Sequence, residues 1–132
     1  MDEVVLEMQL GAVAALAGFP EMAGVVVRPD GARRTDLPRV EVAWPRASDW
    51  GAKGAAGREL RLQVSVHGAP GQFGRMVAMA AAAEELADAI PRELRGGWRV
   101  ASATHLRSWP LMADGVCRAL VSEHRVRVMR VN

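Results

Sequence analysis

The sequence predicts an α+β fold: a mostly antiparallel sheet of about four strands with two helices packed on one face. Three observations carry that expectation. The stretch "RELRLQVSVH", residues 58–67, alternates strictly, with Leu60, Leu62, Val64 and Val66 opposed by Glu59, Arg61, Gln63 and Ser65. Two segments, about residues 2–17 and 71–90, repeat apolar residues at helical spacing. Two further apolar runs flank Asp114-Gly115, a tight-turn dipeptide.

The elements follow in order. In "DEVVLEMQLGAVAALAG" acids crowd the first turn, where the helix dipole favours them. Leu6, Leu10, Val13 and Ala17 predict the buried stripe, broadened by Val5, Met8 and Leu16, and Gly18 with Pro20 ends the helix. Residues 25–27 predict a short strand, followed by a basic, polar loop bracketed by two prolines. In "RVEVAWPRASDW" the alternation puts Val40, Val42 and Trp44 on one face, and Pro45 requires an edge, a bulge or a bend. The second helix is expected to bury Phe73, Met76, Val77, Ala80, Ala83, Leu86, Ala87 and Ile90. Its four alanines, residues 80–83, allow close approach of the sheet, and Pro91 ends it. Trp98 and Val100 begin the next strand. In the closing strand Ala119 and Val121 share one parity and Val126 and Val128 the other, which predicts a bulge near residues 122–124.

Composition narrows the function. The 132 residues make one domain, residues 1–132, and half are hydrophobic, which argues against disorder. No apolar run approaches the roughly 18 residues of a membrane span, and the acidic start "MDEVVLEM" is unlike a secretory signal. A lone cysteine, Cys117, reads as a small buried hydrophobe in a reducing compartment. The net charge of +2 conceals a gradient. Residues 1–27 hold Asp2, Glu3, Glu7 and Glu21 and no cation, whereas residues 92–132 hold eight arginines against Glu93, Asp114 and Glu123. Such polarity can orient a chain against a neighbour of opposite sign.

Residues 51–57, "GAKGAAG", pose the sharpest local question. A phosphate-cradling loop needs glycines leading into Gly-Lys-Ser/Thr at a helix N-terminus. Here Lys53 precedes the later glycines, no Ser or Thr follows, and a strand comes next. The stretch therefore reads as a flexible hairpin connection whose removal should leave the fold intact. Catalytic and metal-ligating residues are expected to be absent. His67, His105 and His124 sit apart in sequence, and Glu123 and His124 point to opposite faces of a strand. No cofactor is implied. Trp44, Trp50, Trp98 and Trp109 beside Arg46, Arg99 and Arg107 read as sheet-packing aromatics with snorkelling neighbours, base stacking being the alternative.

Taken together, the opening amphipathic helix, "LPRVEVA", "SDWGAKGAAGRELRLQVSVHG", the Ala-rich helix and the final strands around "DG" resemble the tail-terminator, or tail-completion, proteins of long-tailed phages and gene transfer agents. The resemblance implies a structural protein and not an enzyme. It implies a ring, usually a hexamer, that caps the head-proximal end of the tail tube, stops polymerisation and joins tail to neck. Its partners would be copies of itself, the tail-tube protein and the neck or stopper protein, with DNA passing through the lumen unread and no membrane contact. It would be cytoplasmic during assembly and then part of the particle. Asp49, Trp50, Lys53, Arg58, Glu59 and Arg61 are the expected inter-subunit or tail contacts. A stopper-like neck component and a nucleic-acid-binding module remain open alternatives.

Overall fold

The computed structural model describes residues 2–30, 36–51 and 54–131. Its elements are α1 (Glu3–Ala17), β1 (Val26–Pro29), β2 (Arg39–Val42), β3 (Arg46–Asp49), β4 (Ala55–His67), α2 (Phe73–Ala83), α3 (Leu86–Ala89), β5 (Arg99–Ala113) and β6 (Val116–Val131). The fold is α+β, as its sequence predicts, but the sheet has six strands and not about four. They run in the order β1-β2-β4-β6-β5, with β3 pairing the other half of β4. All neighbours are antiparallel except β1 and β2.

Pro45 accounts for part of the difference. The single strand expected over residues 39–50 is divided into β2, on Val64–His67 of β4, and β3, on Arg58–Arg61. Trp44 is therefore not on the buried face with Val40 and Val42; it lies beyond the end of β2 and is half exposed. Buried Gln9 of α1 donates from Nε2 to the Val42 carbonyl at 3.1 Å, a second bond to an oxygen that also accepts from Asp30 N at 2.7 Å, which ties the helix to this break.

The long strands define two faces. β4 and β6 pair without interruption from Ala55↔Val131 to His67↔Ala119. Leu60, Leu62, Val64 and Val66 of β4 and Val126 and Val128 of β6 are buried beneath the helices. The bulge expected in β6 is absent from this ladder. The irregularity at that level lies on β5, where Leu106 is the extra residue between His105↔His124 and Arg107↔Glu123. The parity change arises because β6 is buried on both faces there: Ala119, Val121 and Glu123 on one, His124, Val126 and Val128 on the other. The β5–β6 turn has positive φ at Asp114 and Gly115, as the dipeptide requires.

Both main helices are rotated from the stripes read in the sequence. α1 is capped by Asp2, whose Oδ1 accepts from Val4 N at 3.2 Å, and it buries Val4, Val5, Met8, Gln9, Ala12 and Leu16. Leu6 and Leu10 are exposed instead. This helix is apolar nearly all round, so periodicity offered two stripes. α2 buries Met76, Met79, Ala82 and Ala83, with Ala82 and Ala83 from the four alanines, while Phe73 and Val77 are exposed. The second helical segment breaks after Ala83 and resumes in α3 before Ile90.

The glycine stretch is shorter as a loop than expected. Ala55–Gly57 belong to β4, paired with Met129–Val131, and Trp50 N donates to the Gly57 carbonyl. Deleting residues 51–57 would therefore remove the start of a central strand. Lys53, like the basic loop at 31–35, lies outside the described residues. A Cβ on Gly57 would come within 2.0 Å of the Trp50 carbonyl oxygen, so only glycine fits.

Two stability predictions follow from this packing. Gly57→Ala should cost about 2 kcal/mol in urea unfolding, because backbone must move, whereas Gly74→Ala in α2, whose Cβ meets nothing within 4 Å, should be neutral or stabilise by roughly 0.5 kcal/mol; equal effects would show that the clash is relieved. The second concerns His124, wholly buried under the helices, with Nε2 3.0 Å from Ser122 Oγ. Burial, and then the neighbouring His105, lower its pKa from 6.5 to about 4. The unfolded chain takes up a proton near pH 6.5 that the folded chain refuses until about pH 4. Stability contributed by the neutral imidazole is thus full above pH 6.5 and lost as pH falls to about 4, by on the order of 3 kcal/mol. Urea midpoints between pH 7 and 4 should fall more steeply for the wild type than for His124→Gln.

Candidate assembly surface

On the sheet face away from the helices, the β4–β6 register sets charges opposite one another. Glu59 faces Arg127, Arg61 faces Arg125 and Gln63 faces Glu123. The Glu59–Arg127 pair closes at 3.0 Å. That hydrogen bond outweighs partial burial and, with the nearby arginines, holds the Glu59 carboxyl below the usual range. Arg61 opposite Arg125 is a like-charge pair, unfavourable by itself. It is offset along the strand, where Arg61 lies 3.5 Å from Glu59 and 3.8 Å from Glu123.

Glu123 is the centre of this face. Its side chain is 2% exposed and receives Arg46 Nη2 and Arg107 Nε, each at 3.1 Å. The two guanidiniums come from β3 and β5, the strands flanking the β4–β6 pair on this part of the sheet. They are largely exposed, at 73% and 67%. The carboxylate therefore lies beneath a layer of arginines. Arg107 stacks over Trp109 with its guanidinium 4.9 Å from the ring centre, and Arg127 over Trp50 at 5.2 Å. Trp44, Arg46 and Arg61 line a shallow hollow on the same side. Farther along, Glu41 meets Arg28 at 3.5 Å, Arg39, and His67 at 3.9 Å. Burial would raise the Glu41 pKa, but hydrogen bonding from Arg39 and the charges around it lower it overall. Burial, and then Arg39, lower the pKa of His67.

The expected contact residues divide between two places. Trp50, Glu59 and Arg61 belong to this outer face. Arg58 has the opposite parity and joins Asp49 at 3.1 Å and Asp2 at 3.2 Å, tying the β3–β4 hairpin to the start of α1. Lys53 is outside the described residues. The sequence reading did not assemble Glu123 with Arg46, Arg61 and Arg107. They come from four strands, and only the pairing of β3 with β4, β4 with β6 and β6 with β5 makes them neighbours.

Elsewhere the surface offers two larger open hollows. One, about 580 Å³, lies between the exposed side of α1 and the Pro91–Trp98 segment, where Glu7 pairs with Arg95 at 3.2 Å. The other, about 550 Å³, is mainly apolar and runs between α2 and the β5–β6 hairpin, past Phe73, Val77, Trp109 and Met112. Among the described residues no helix is long and apolar enough to cross a membrane.

This architecture has a solved counterpart. A chain of the structure described as "Virion of native gene transfer agent (GTA) particle" superposes with a TM-score of 0.76 at 21% identity. The match covers 98% of this chain and 99% of that chain. The two share one fold. No protein-family model matches this sequence, and no curated protein does.

The Glu123 cluster generates a coupling prediction. Arg46→Ala or Arg107→Ala alone should cost under about 1 kcal/mol, since each leaves Glu123 another close guanidinium. The double variant should cost about 2 kcal/mol, more than the sum, because the buried carboxylate then keeps only Arg61. Additive urea-unfolding effects would show that the arginines do not share the load.

Proposed function

We propose that this chain is a structural protein of a phage-like particle, a tail terminator that closes into a ring on the head-proximal end of the tail tube. The observation that carries the reading is the shared fold with a virion chain, end to end in both proteins. The resemblance of "SDWGAKGAAGRELRLQVSVHG" and its flanking elements to tail terminators narrows the role from particle component to tail completion. In that role the ring stops addition of tube subunits, presents a surface to the neck protein and leaves a passage for DNA. The ring is proposed as a hexamer made and assembled in the cytoplasm.

The outer sheet face fits such work better than chemistry. Its carboxylates are paired with arginines spread across an open layer, whereas catalysis needs groups converging on a shielded volume. A ring subunit instead needs two different surfaces that complement each other around a rotation.

The test is localisation and mass. The purified chain alone should be a monomer or weak oligomer, and on mixing with tube protein it should form a closed ring at one tube end. Cryo-microscopy of particles should place it between tube and neck, and particles lacking it should show tubes of uncontrolled length and unjoined heads. Density for the chain above the neck junction would favour a stopper; density at the distal tip or in the capsid shell would overturn the role.

A further inference from the structure

The two layers of this molecule carry opposite charge. At the centre of the outer sheet face Arg46, Arg61, Arg107, Arg125 and Arg127 outnumber Glu59 and Glu123. Glu123 is buried, so an approaching surface meets mainly guanidinium. The helix layer on the other side presents Glu3, Glu21, Glu85 and Asp88, all exposed. None of these four forms an ion pair among the described residues.

We propose that the outer sheet face is the docking surface for a second copy of this chain, which contributes the unpaired carboxylates of its helix layer. Closure of such contacts into a ring rests on the tail-terminator reading; the contact itself does not. Charge disfavours the symmetric alternative, because two sheet faces pressed together would bring an excess of arginine against an excess of arginine. A sheet-to-helix contact is heterologous, and repetition gives a ring where the rotation closes. The guanidiniums are already held by Glu123 and Glu59 and stacked on Trp109 and Trp50, so little side-chain freedom remains to be lost on docking. Arg beside Trp is also the composition of protein interface centres. Nucleic acid fits less well. The carboxylates set within the face oppose phosphate, and the chain as a whole is only +2.

The experiment is a charge exchange, read by sedimentation of the full chain at low ionic strength. The wild type should self-associate, with affinity falling about tenfold or more on raising salt to physiological strength. Arg107→Glu/Arg125→Glu makes both surfaces acidic; Glu21→Arg/Glu85→Arg/Asp88→Arg, which leaves only Glu3 of the four unpaired acids, makes both basic. Each variant alone should lose self-association, and an equimolar mixture should recover it. If the sheet reversal unfolds the chain, the helix variant remains, since its positions are exposed: it should keep the wild-type melting temperature and lose association. The proposal is overturned if the wild type does not associate at low salt, if the folded helix variant associates as the wild type does, or if two folded variants fail to complement. It is also overturned if the wild type binds a short DNA duplex in a salt-sensitive way that the sheet variant loses while self-association is unchanged. Recovery in the mixture together with a chain located away from the tail–neck junction would keep this surface and remove the tail-terminator role. Failure to complement with correct location would do the reverse.

Discussion

The uninterrupted register between β4 and β6 is the constraint on which the rest of the molecule depends. Thirteen consecutive residues of each strand pair, from Ala55↔Val131 to His67↔Ala119. Side chains alternate across a sheet, so this register assigns every residue to the helix side or the outer side. A slip of one position would carry Leu60, Leu62, Val64 and Val66 into solvent relative to their partners and bring charged residues under α1 and α2. The core and the charged face are consequences of a single alignment, and neither could be lost without the other.

Glu123 and His124 show how sharply that alignment divides two environments. They are adjacent in sequence and both buried, yet they are accommodated in opposite ways. His124 lies over Leu62 on the helix side, where burial keeps its imidazole neutral. Glu123 lies on the outer side, where Arg46 and Arg107 cover its carboxylate. The extra residue Leu106 in β5 occurs at the same level. A bulge re-aims side chains, and here it leaves His105 opposite His124 and Arg107 opposite Glu123.

How much of this was legible in the sequence depended on whether the information was local. Residues 58–67 announced a half-buried strand because alternation is a property of one segment, and Asp114-Gly115 announced a hairpin because its positive φ values belong to two residues. The helix faces were less legible: α1 carries Leu6 and Leu10 as well as Met8 and Leu16, and only the position of the sheet selects between the stripes. The parity change in β6 is visible in sequence but its cause is not, since burial on both faces and a bulge leave the same trace. The Glu123 cluster was invisible as a cluster, because Arg46, Arg61, Arg107 and Glu123 come from four strands. Gly57 looked like one more loop glycine; its true constraint, the Trp50 carbonyl beside it, is a matter of tertiary distance.

The residues on which periodicity and structure disagree have a common property. Leu6, Leu10, Phe73 and Val77 are apolar residues on the core-forming helices that the chain's own sheet does not cover. Positions where consistent local rules fail are where function is commonly found. Exposed arginine–carboxylate pairs contribute little affinity at physiological salt, so charge can orient two copies but cannot hold them. Leu6 and Leu10 follow Glu3 along α1, within the layer that presents the unpaired acids, and Trp50 and Trp109 lie among the arginines of the opposing face. A copy placed with acids over arginines brings apolar side chains and aromatic rings into the same contact, where buried area adds what screened charge lacks. In the proposed contact the charge pattern would set direction and register, and the apolar residues strength. Under the proposed function, that division of labour would suit a subunit that associates weakly in solution and closes where a template raises its local concentration.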